Sequence, residues 1–157
     1  MSDKRAIFLD FDGVLHDAEI VQIDRWSEDT PVPRAIEGRQ LFEFAPLLAD
    51  ILRPYPDVHI VAHSSWCRYF DADACRALLA ASGLRIDDIA TGKYRQDRIT
   101  QYAYDHGITD WIAVDDEPQN FDERWRHRWG NRLIACDPHH GLSDATIIAA
   151  ISAWLVC

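Results

Sequence analysis

The sequence predicts one α/β domain over residues 1–157, built on a mostly parallel sheet with helices on both faces. Short apolar runs alternate with amphipathic stretches along the chain, which is typical of strands joined by helical crossovers. The length of 157 residues suits one compact domain, and 48% apolar residues are enough to build its core. Polar residues follow the apolar runs directly, so we expect a functional site at the carboxyl edge of the sheet.

Each predicted element has a local signal. Four short apolar runs predict strands at residues 6–9, 58–62, 111–114 and 133–136. Helices are expected between and after these runs, at residues 46–54, 72–81, 96–106 and 143–155. Pro46 suits a first helical turn, and Pro54 ends that helix. Gly83 and Gly107 end the next two helices, and Ser143 is the expected N-cap of the last.

Residues 16–45 do not fit the alternation of strands and helices. They show no sustained periodicity and carry charged, tryptophan and proline positions, so we expect an insertion in the form of an irregular flap or hairpin. A segment of about 30 residues is too short for a full cap domain, so the site is expected to be open or to borrow cover from a partner. His16 and Asp17, where the segment starts, either touch substrate or belong to an ordinary loop.

Composition argues against several classes of protein. Lys and Arg number 16 against 26 Asp and Glu, and the resulting net charge of −10 disfavours general coating of nucleic acids. No apolar run approaches the roughly 20 residues of a membrane span, so we expect a cytoplasmic protein without a membrane partner. The 4 cysteines lack CxxC spacing, and we expect free thiols rather than a zinc site or disulfides.

Three apolar runs end in polar groups, and the first is the most informative. The run FLDFDGVL places Asp10 and Asp12 two residues apart at the end of a strand, followed at once by Gly13. Because an unpaired buried carboxylate is very costly, this pair needs a cation, and a bound divalent metal supplies one. The second run ends at His63-Ser64-Ser65, and a later run ends at Asp115-Asp116.

These residues together resemble the phosphatase members of the haloacid dehalogenase (HAD) superfamily. The four HAD motifs correspond, in the family's order, to Asp10-x-Asp12-Gly13, Ser64, Lys93 and Asp115-Asp116. The resemblance spans residues 6 to about 137 and implies a three-layer Rossmann-like (HAD-like) fold. More narrowly, the segments HSSW, TGK, VDDE and CDPHHGL are similar to the small HAD domain of Swiss-army-knife RNA repair proteins. Those domains are thought to remove phosphate from nucleic-acid ends.

The resemblance implies a mechanism and a cofactor. Asp10 would attack phosphorus and form an aspartyl-phosphate, and Asp12 would protonate the leaving oxygen and later activate water. Mg²⁺ would be held by Asp10, the Asp12 backbone carbonyl and Asp116. Asp115 would be a second ligand or an orienting neighbour. Asp12 also favours a phosphatase over a dehalogenase, because halide leaves without being protonated.

The resemblance also implies which residues contact the phosphate. Ser64 and Lys93 would bind its non-bridging oxygens. Ser65 is the alternative to Ser64, one residue further on, and Gly13 is a further candidate for substrate contact. A second interpretation makes Ser64 the N-cap of the following helix, a role that does not exclude a phosphate contact.

The distribution of charge bears on the substrate. Arg124 and Arg126 alternate with aromatic residues after the fourth motif, a pattern that can bind a nucleotide but also suits an amphipathic connector with outward arginines. The acidic segment over residues 16–45 would repel a long polyanion. We therefore expect a Mg²⁺-dependent phosphohydrolase acting on a small phosphoester, such as a nucleotide or a nucleic-acid end. The alternative is a non-catalytic or partner-dependent phosphate-binding or nucleotide-binding module.

Overall fold

A single parallel sheet organises the described residues. The structure is a computed structural model that describes residues 4–20, 40–117 and 123–157. Within these ranges the strands are β1 (Lys4–Leu9), β2 (Val58–Ala62), β3 (Asp88–Ile89), β4 (Ile108–Asp115) and β5 (Leu133–Ala135). Their order is β3-β2-β1-β4-β5, and every pair of neighbours is parallel. The predicted α/β fold with a parallel sheet is therefore confirmed.

Among the described residues, four α-helices lie in the crossovers between successive strands, and a fifth follows the last strand. They are α1 (Ala45–Leu52), α2 (Ala72–Leu79), α3 (Arg95–His106), α4 (Glu123–Trp129) and α5 (Ala145–Leu155). Helix α4 lies in the stretch of Arg and Trp for which the sequence predicts no helix. The predicted N-cap of α5 is wrong by one residue, because the carboxylate of Asp144 rather than Ser143 accepts the N–H of Thr146 at 2.9 Å.

Alternate residues of the central strand β1 face two different hydrophobic layers. Ile7 and Leu9 pack with buried residues of α1, α2 and α5. Ala6 and Phe8 pack on the other face, with buried residues of α3 and with Trp129 of α4. All four β1 residues are fully buried. This alternation gives the three layers of the predicted fold, with helices on both faces of the sheet.

Strand register brings the candidate site residues together. Leu9 of β1 lies beside Ala62 of β2 and Val114 of β4, so the residues that follow each of these three leave the sheet at the same edge. The ladder continues one step further, because His63 N–H donates to the Leu9 carbonyl at 3.0 Å and Asp10 N–H donates to the Val114 carbonyl at 3.1 Å. The polar edge predicted from the sequence is therefore one continuous surface of the fold.

The chain turns sharply after β1, and a distant loop closes that turn. The N–H groups of Val14 and Leu15 both donate to the Phe11 carbonyl, at 3.1 and 2.8 Å. Leu142 N–H then donates to the Val14 carbonyl at 3.0 Å. Gly141 approaches the same carbonyl so closely that a Cβ there would lie 2.4 Å from its oxygen. Only glycine fits this contact, which joins the turn to the loop before α5.

Three further expectations from the sequence concern the cysteines, membrane-spanning segments and the predicted flap. The four cysteines are free, as expected. No helix in the described ranges is both long enough and apolar enough to span a bilayer. Of the predicted flap at residues 16–45, residues 21–39 lie outside the described part of the chain.

Candidate active site

Three buried carboxylates meet at the carboxyl edge of the sheet. Asp10 follows β1, Asp115 ends β4 and Asp116 comes next, with relative exposures of 3%, 0% and 8%. One oxygen of each carboxylate lies within 4.8 Å of one oxygen of the other two. Burial and the neighbouring Asp10 carboxylate raise the pKa of Asp116 to about 9, and burial also raises the pKa of Asp115. Like charges held this close either keep a proton on one carboxyl group or need a compensating cation.

The side chain of Arg95 supplies part of that compensation. Arg95 is the first residue of α3, and its Nη1 lies 2.5 Å from Asp115 Oδ2 and 3.2 Å from Asp10 Oδ2. Its Nη2 donates to Glu117 Oε2 at 3.3 Å. Although burial opposes the charged form, the Asp10 and Asp115 carboxylates together raise the pKa of the guanidinium. Arg95 thus offsets part of the negative charge of the carboxylates around it.

Lys93, the basic residue proposed from the sequence, makes no hydrogen bond or ion pair with these carboxylates in the described part of the chain. It is exposed, and its Nζ lies over the ring of Tyr94, 5.2 Å from the ring centroid. Arg95, two residues further on, is the basic group that contacts the carboxylates. Sequence reasoning missed Arg95 because TGK is the more conspicuous motif. The available signal was the helix start, since the first residue of a helix after a βα loop lies over the carboxyl edge of a parallel sheet.

The second polar turn contributes buried serines. Ser64 is fully buried and Ser65 is 9% exposed. The Ser64 hydroxyl accepts the N–H of Trp66 at 3.3 Å, which caps the short 3₁₀ turn Ser65–Arg68. The expectation that Ser64 is the N-cap of the following helix is therefore wrong, because Asp71 caps α2 and Ser64 caps only this turn. Both serines follow the end of β2 at the edge of the sheet that carries the carboxylates, so each remains a candidate phosphate contact.

Two buried basic groups near the cluster have polar atoms without a hydrogen-bond partner in the described part of the chain. They are both ring nitrogens of His63 and the Nε of Arg98, and these residues are 0% and 6% exposed. His63 Nε2 lies 3.6 Å from Asp115 Oδ2, and burial lowers the pKa of this histidine to about 3. Burial and the positive charge of Arg95 lower the pKa of Arg98. Arg98 was not identified from the sequence, whereas His63 was named there only as a polar residue that ends the second apolar run.

The Asp12 side chain is held apart from the three clustered carboxylates. His16 Nε2 lies 2.8 Å from Asp12 Oδ1, and Trp66 Nε1 donates to both carboxylate oxygens at 3.1 Å. Burial raises the pKa of Asp12, and the hydrogen bond from His16 partly opposes the rise. Asp10 and Asp12 thus occupy different environments although they are two residues apart. A carboxyl group with a raised pKa is suited to give and take a proton.

Gly13 makes room for Asp116. Its φ of +72° lies in the left-handed region that favours glycine. A Cβ on Gly13 would lie 2.1 Å from Asp116 Oδ2 and 2.6 Å from Asp116 Cβ. The residue proposed from the sequence as a substrate contact therefore lies directly against one of the acids of the cluster.

The two arginines proposed as substrate contacts lie on α4. Arg124 and Arg126 are exposed, whereas Trp129 is buried and packs edge-on against Trp111, with the ring centroids 5.0 Å apart. The helix thus has outward arginines and an inward tryptophan, as expected of the amphipathic connector. This arrangement leaves both arginines accessible from solvent.

The fold and this edge of the sheet define the class of the protein. A central strand that ends in Asp-x-Asp-Gly, beside a strand that ends in paired aspartates, forms an HAD-like domain. The chain belongs to the family described as the HAD domain in Swiss Army Knife RNA repair proteins, which matches residues 6–147. No curated protein and no solved structure matches the chain significantly. HAD proteins include hydrolases and phosphatases, and they generally use Mg²⁺.

Proposed function

We propose that this protein is a Mg²⁺-dependent phosphohydrolase that forms an aspartyl-phosphate on Asp10. The observation that carries the proposal is the separation of two kinds of carboxyl group at one edge of the sheet. Asp10 lies in the buried acidic cluster with Asp115 and Asp116, while Asp12 is hydrogen-bonded outside it. A nucleophile that stays ionised and an acid that holds a proton need such different environments.

The residues present suit a bound Mg²⁺. The three clustered carboxylates offer only oxygen ligands, which this hard cation prefers, and the space beside Gly13 lets Asp116 reach the cluster. Asp10, Asp116 and the backbone carbonyl of Asp12 would hold the ion, with Asp115 as a further ligand or an orienting neighbour. When bound, the ion would offset the negative charge of the cluster and of the incoming phosphate.

The reaction then follows from the side chains of the chain itself. The Asp10 carboxylate attacks phosphorus, and the bond to the leaving oxygen breaks as Asp12 gives that oxygen its proton. Asp12 next takes a proton from water, which attacks the aspartyl-phosphate, frees inorganic phosphate and restores Asp10. Arg95 and a serine of the second turn, Ser64 or Ser65, hold the phosphate oxygens. Arg95 takes the role that the sequence suggests for Lys93.

The substrate we propose is a small phosphoester, such as a nucleotide or the phosphorylated end of a nucleic acid. The name of the family refers to RNA repair proteins, which agrees with this class of substrate. The exposed Arg124 and Arg126 would contact phosphate groups beyond the one removed. The net charge of −10 disfavours a long nucleic acid bound along its length.

The decisive experiment compares Asp10→Asn with the unaltered protein. Release of inorganic phosphate is measured with and without Mg²⁺, from an aryl phosphate, from nucleotides and from oligonucleotides phosphorylated at either end. The matched control is Asp105→Asn, an exposed aspartate in the last turn of α3 that bonds to Gln101 at 2.8 Å. We expect Asp10→Asn to abolish release and Asp105→Asn to preserve it. Release that persists in Asp10→Asn refutes the proposal.

The same experiment tests the alternative of a binding module without turnover. In that case the unaltered protein releases no phosphate from any substrate of the panel. It still binds inorganic phosphate, which isothermal titration calorimetry would detect. The fully buried Ser64 and the unpartnered Nε of Arg98 are the groups whose replacement should weaken that binding.

A further inference from the structure

We infer that His16 and Trp66 are positioning residues that fix the Asp12 carboxyl group and leave its transferable proton on Oδ2. The inference deepens the proposed phosphatase function and rests on it. His16 comes four residues after Asp12, and Trp66 belongs to the 3₁₀ turn after β2. The two residues therefore hold Asp12 from two separate parts of the fold.

The two carboxyl oxygens of Asp12 differ in the number of N–H groups that face them. Oδ1 faces both His16 Nε2, at 2.8 Å, and Trp66 Nε1, at 3.1 Å. Within the described part of the chain, Oδ2 receives only the shared bond from the same Trp66 N–H, at 3.1 Å. An oxygen that accepts two N–H groups has little capacity left for a proton of its own, so the carboxylic acid proton is placed on Oδ2. The proton then sits at one defined atom.

The contact between His16 and Phe42 determines which atom donates in the hydrogen bond between His16 and Asp12. The backbone N–H of Phe42 lies 3.3 Å from His16 Nδ1, and a backbone N–H can only donate. Nδ1 is therefore the acceptor and carries no hydrogen, so the ring proton is on Nε2 and points at Asp12. The network assigns the Nε2–H tautomer, and His16 acts on Asp12 as a donor.

Phe42 adopts an unusual backbone conformation to make this contact. Its φ is +60°, and among the described residues it is the one non-glycine residue with a positive φ. Such a conformation is strained for a residue that carries a Cβ, and it persists where the surrounding structure requires it. Here it accompanies the donation of the Phe42 N–H to His16.

The residues that hold Asp12 are buried. His16 and Trp66 are fully buried, and Phe42 is 5% exposed. Their three rings pack against one another, with centroids 5.3 Å apart for His16 and Phe42, 5.5 Å for Phe42 and Trp66, and 6.0 Å for His16 and Trp66. Because both donors are buried, little solvent competes for their hydrogen bonds, and each donor stays directed at Asp12. A fixed orientation of this kind is the condition for efficient proton transfer to a leaving group.

Leaving-group dependence distinguishes this role from a purely structural one. An alkoxide is a poor leaving group and needs the proton of Asp12, whereas a dinitrophenolate leaves without one. Loss of proton positioning therefore slows the alkyl ester far more than the dinitrophenyl ester. General damage to the fold or to the acidic cluster slows both esters alike.

The experiment compares kcat/KM for an alkyl phosphate and for 2,4-dinitrophenyl phosphate in four variants. His16→Phe and Trp66→Phe remove one donor each, and His16→Gln keeps an N–H near the position of Nε2. The matched control is Trp154→Phe, which removes a different Trp-to-Asp bond of 2.9 Å, to Asp110 at the opposite edge of the sheet.

We expect His16→Phe and Trp66→Phe to slow the alkyl ester about 100-fold, within the range typical of general acid catalysis. The same variants should slow the dinitrophenyl ester less than about threefold, in keeping with its small need for that acid. His16→Gln should recover much of the loss, and Trp154→Phe should leave the ratio of the two rates unchanged. Equal losses on both esters overturn the inference, while inactivity of the unaltered protein on both overturns the proposed function as well.

A spectroscopic measurement tests the network without any turnover. Two-bond ¹H–¹⁵N correlation spectra of the imidazole rings report the tautomer of each histidine, and the His16→Gln spectrum identifies the His16 signals by their absence. We expect the Nε2–H tautomer in the folded protein. An Nδ1–H tautomer overturns the inference, because His16 would then have no hydrogen to give to Asp12.

Discussion

Replacement of Gly13 by alanine isolates the contact between the first motif and Asp116. The new Cβ would lie 2.1 Å from Asp116 Oδ2, 2.4 Å from its Cγ and 2.6 Å from its Cβ. Ordinary contact distances are about 3.5 Å, so the side chain of Asp116 has to retreat by roughly 1 Å. Rotation of the carboxylate does not relieve the overlap, because the Cβ of Asp116 is affected as well. A displacement of this size costs on the order of 100-fold in rate.

The same substitution also strains the backbone, and a second glycine measures that cost alone. Gly83 has a φ of +76°, close to the +72° of Gly13, but a Cβ there would meet nothing within 4 Å. Each alanine should destabilise the fold by about 1 kcal/mol through its left-handed backbone, which lowers the melting temperature by about 3 °C. Any effect of Gly13→Ala beyond that of Gly83→Ala comes from Asp116.

Two assays on this pair of variants test the reasoning. Phosphate release should fall about 100-fold in Gly13→Ala and stay within about twofold of normal in Gly83→Ala. Thermal unfolding with and without Mg²⁺ should show a stabilisation by the ion in Gly83→Ala that is much reduced in Gly13→Ala. If the two variants behave alike in both assays, Asp116 does not need the space beside Gly13, and the proposed acidic site is wrong.

Further variants give separate tests. Arg95→Met should lower kcat about 100-fold because it removes the cation beside Asp10, whereas the exposed Lys93→Met should change it within about twofold in the same phosphate-release assay. Asp116→Asn should raise the melting temperature of the metal-free protein, since it relieves repulsion within the cluster, and should reduce the stabilisation by Mg²⁺ in thermal unfolding. Leu48→Ala, at a fully buried position of α1, should cost about 2–5 kcal/mol in denaturant unfolding. Its Mg²⁺-induced stabilisation should match that of the unaltered protein.

The central strands were predictable because buried strands appear in the sequence as short apolar runs. Residues 6–9 and 58–62 are apolar runs, and both lie in strands of the sheet. Strand β1 begins at Lys4, two residues before the predicted start. Arg5 is accommodated in the strand because its guanidinium donates to Asp110 at 2.8 Å. That partner is distant in sequence and leaves no local pattern. Strand β3 has only two residues, too few for any periodicity to register.

The site was predictable where it depends on strand ends and not where it depends on packing. Asp10, Asp115 and Asp116 each follow an apolar run, so parallel pairing alone brings them together. The hydrogen bond from Trp66 to Asp12 joins residues 54 apart in the chain, and it depends on how the second turn packs over the first. No motif spacing encodes such a contact. Arg95 was missed for a similar reason, because its contact with the carboxylates depends on the exact residue at which α3 begins.

The bond between Leu142 and Val14 has a consequence for the order of folding. The turn that presents Asp10 and Asp12 near the start of the chain is closed by a loop that lies near its end. Contacts between such distant segments form late, after the entropy of closing the intervening chain has been overcome. On the ribosome, the nascent chain therefore exposes its acidic residues long before they can form a site. Under the proposed function, activity would arise only when the segment at Gly141 has emerged and docked, so a measured activity would report that the domain has folded.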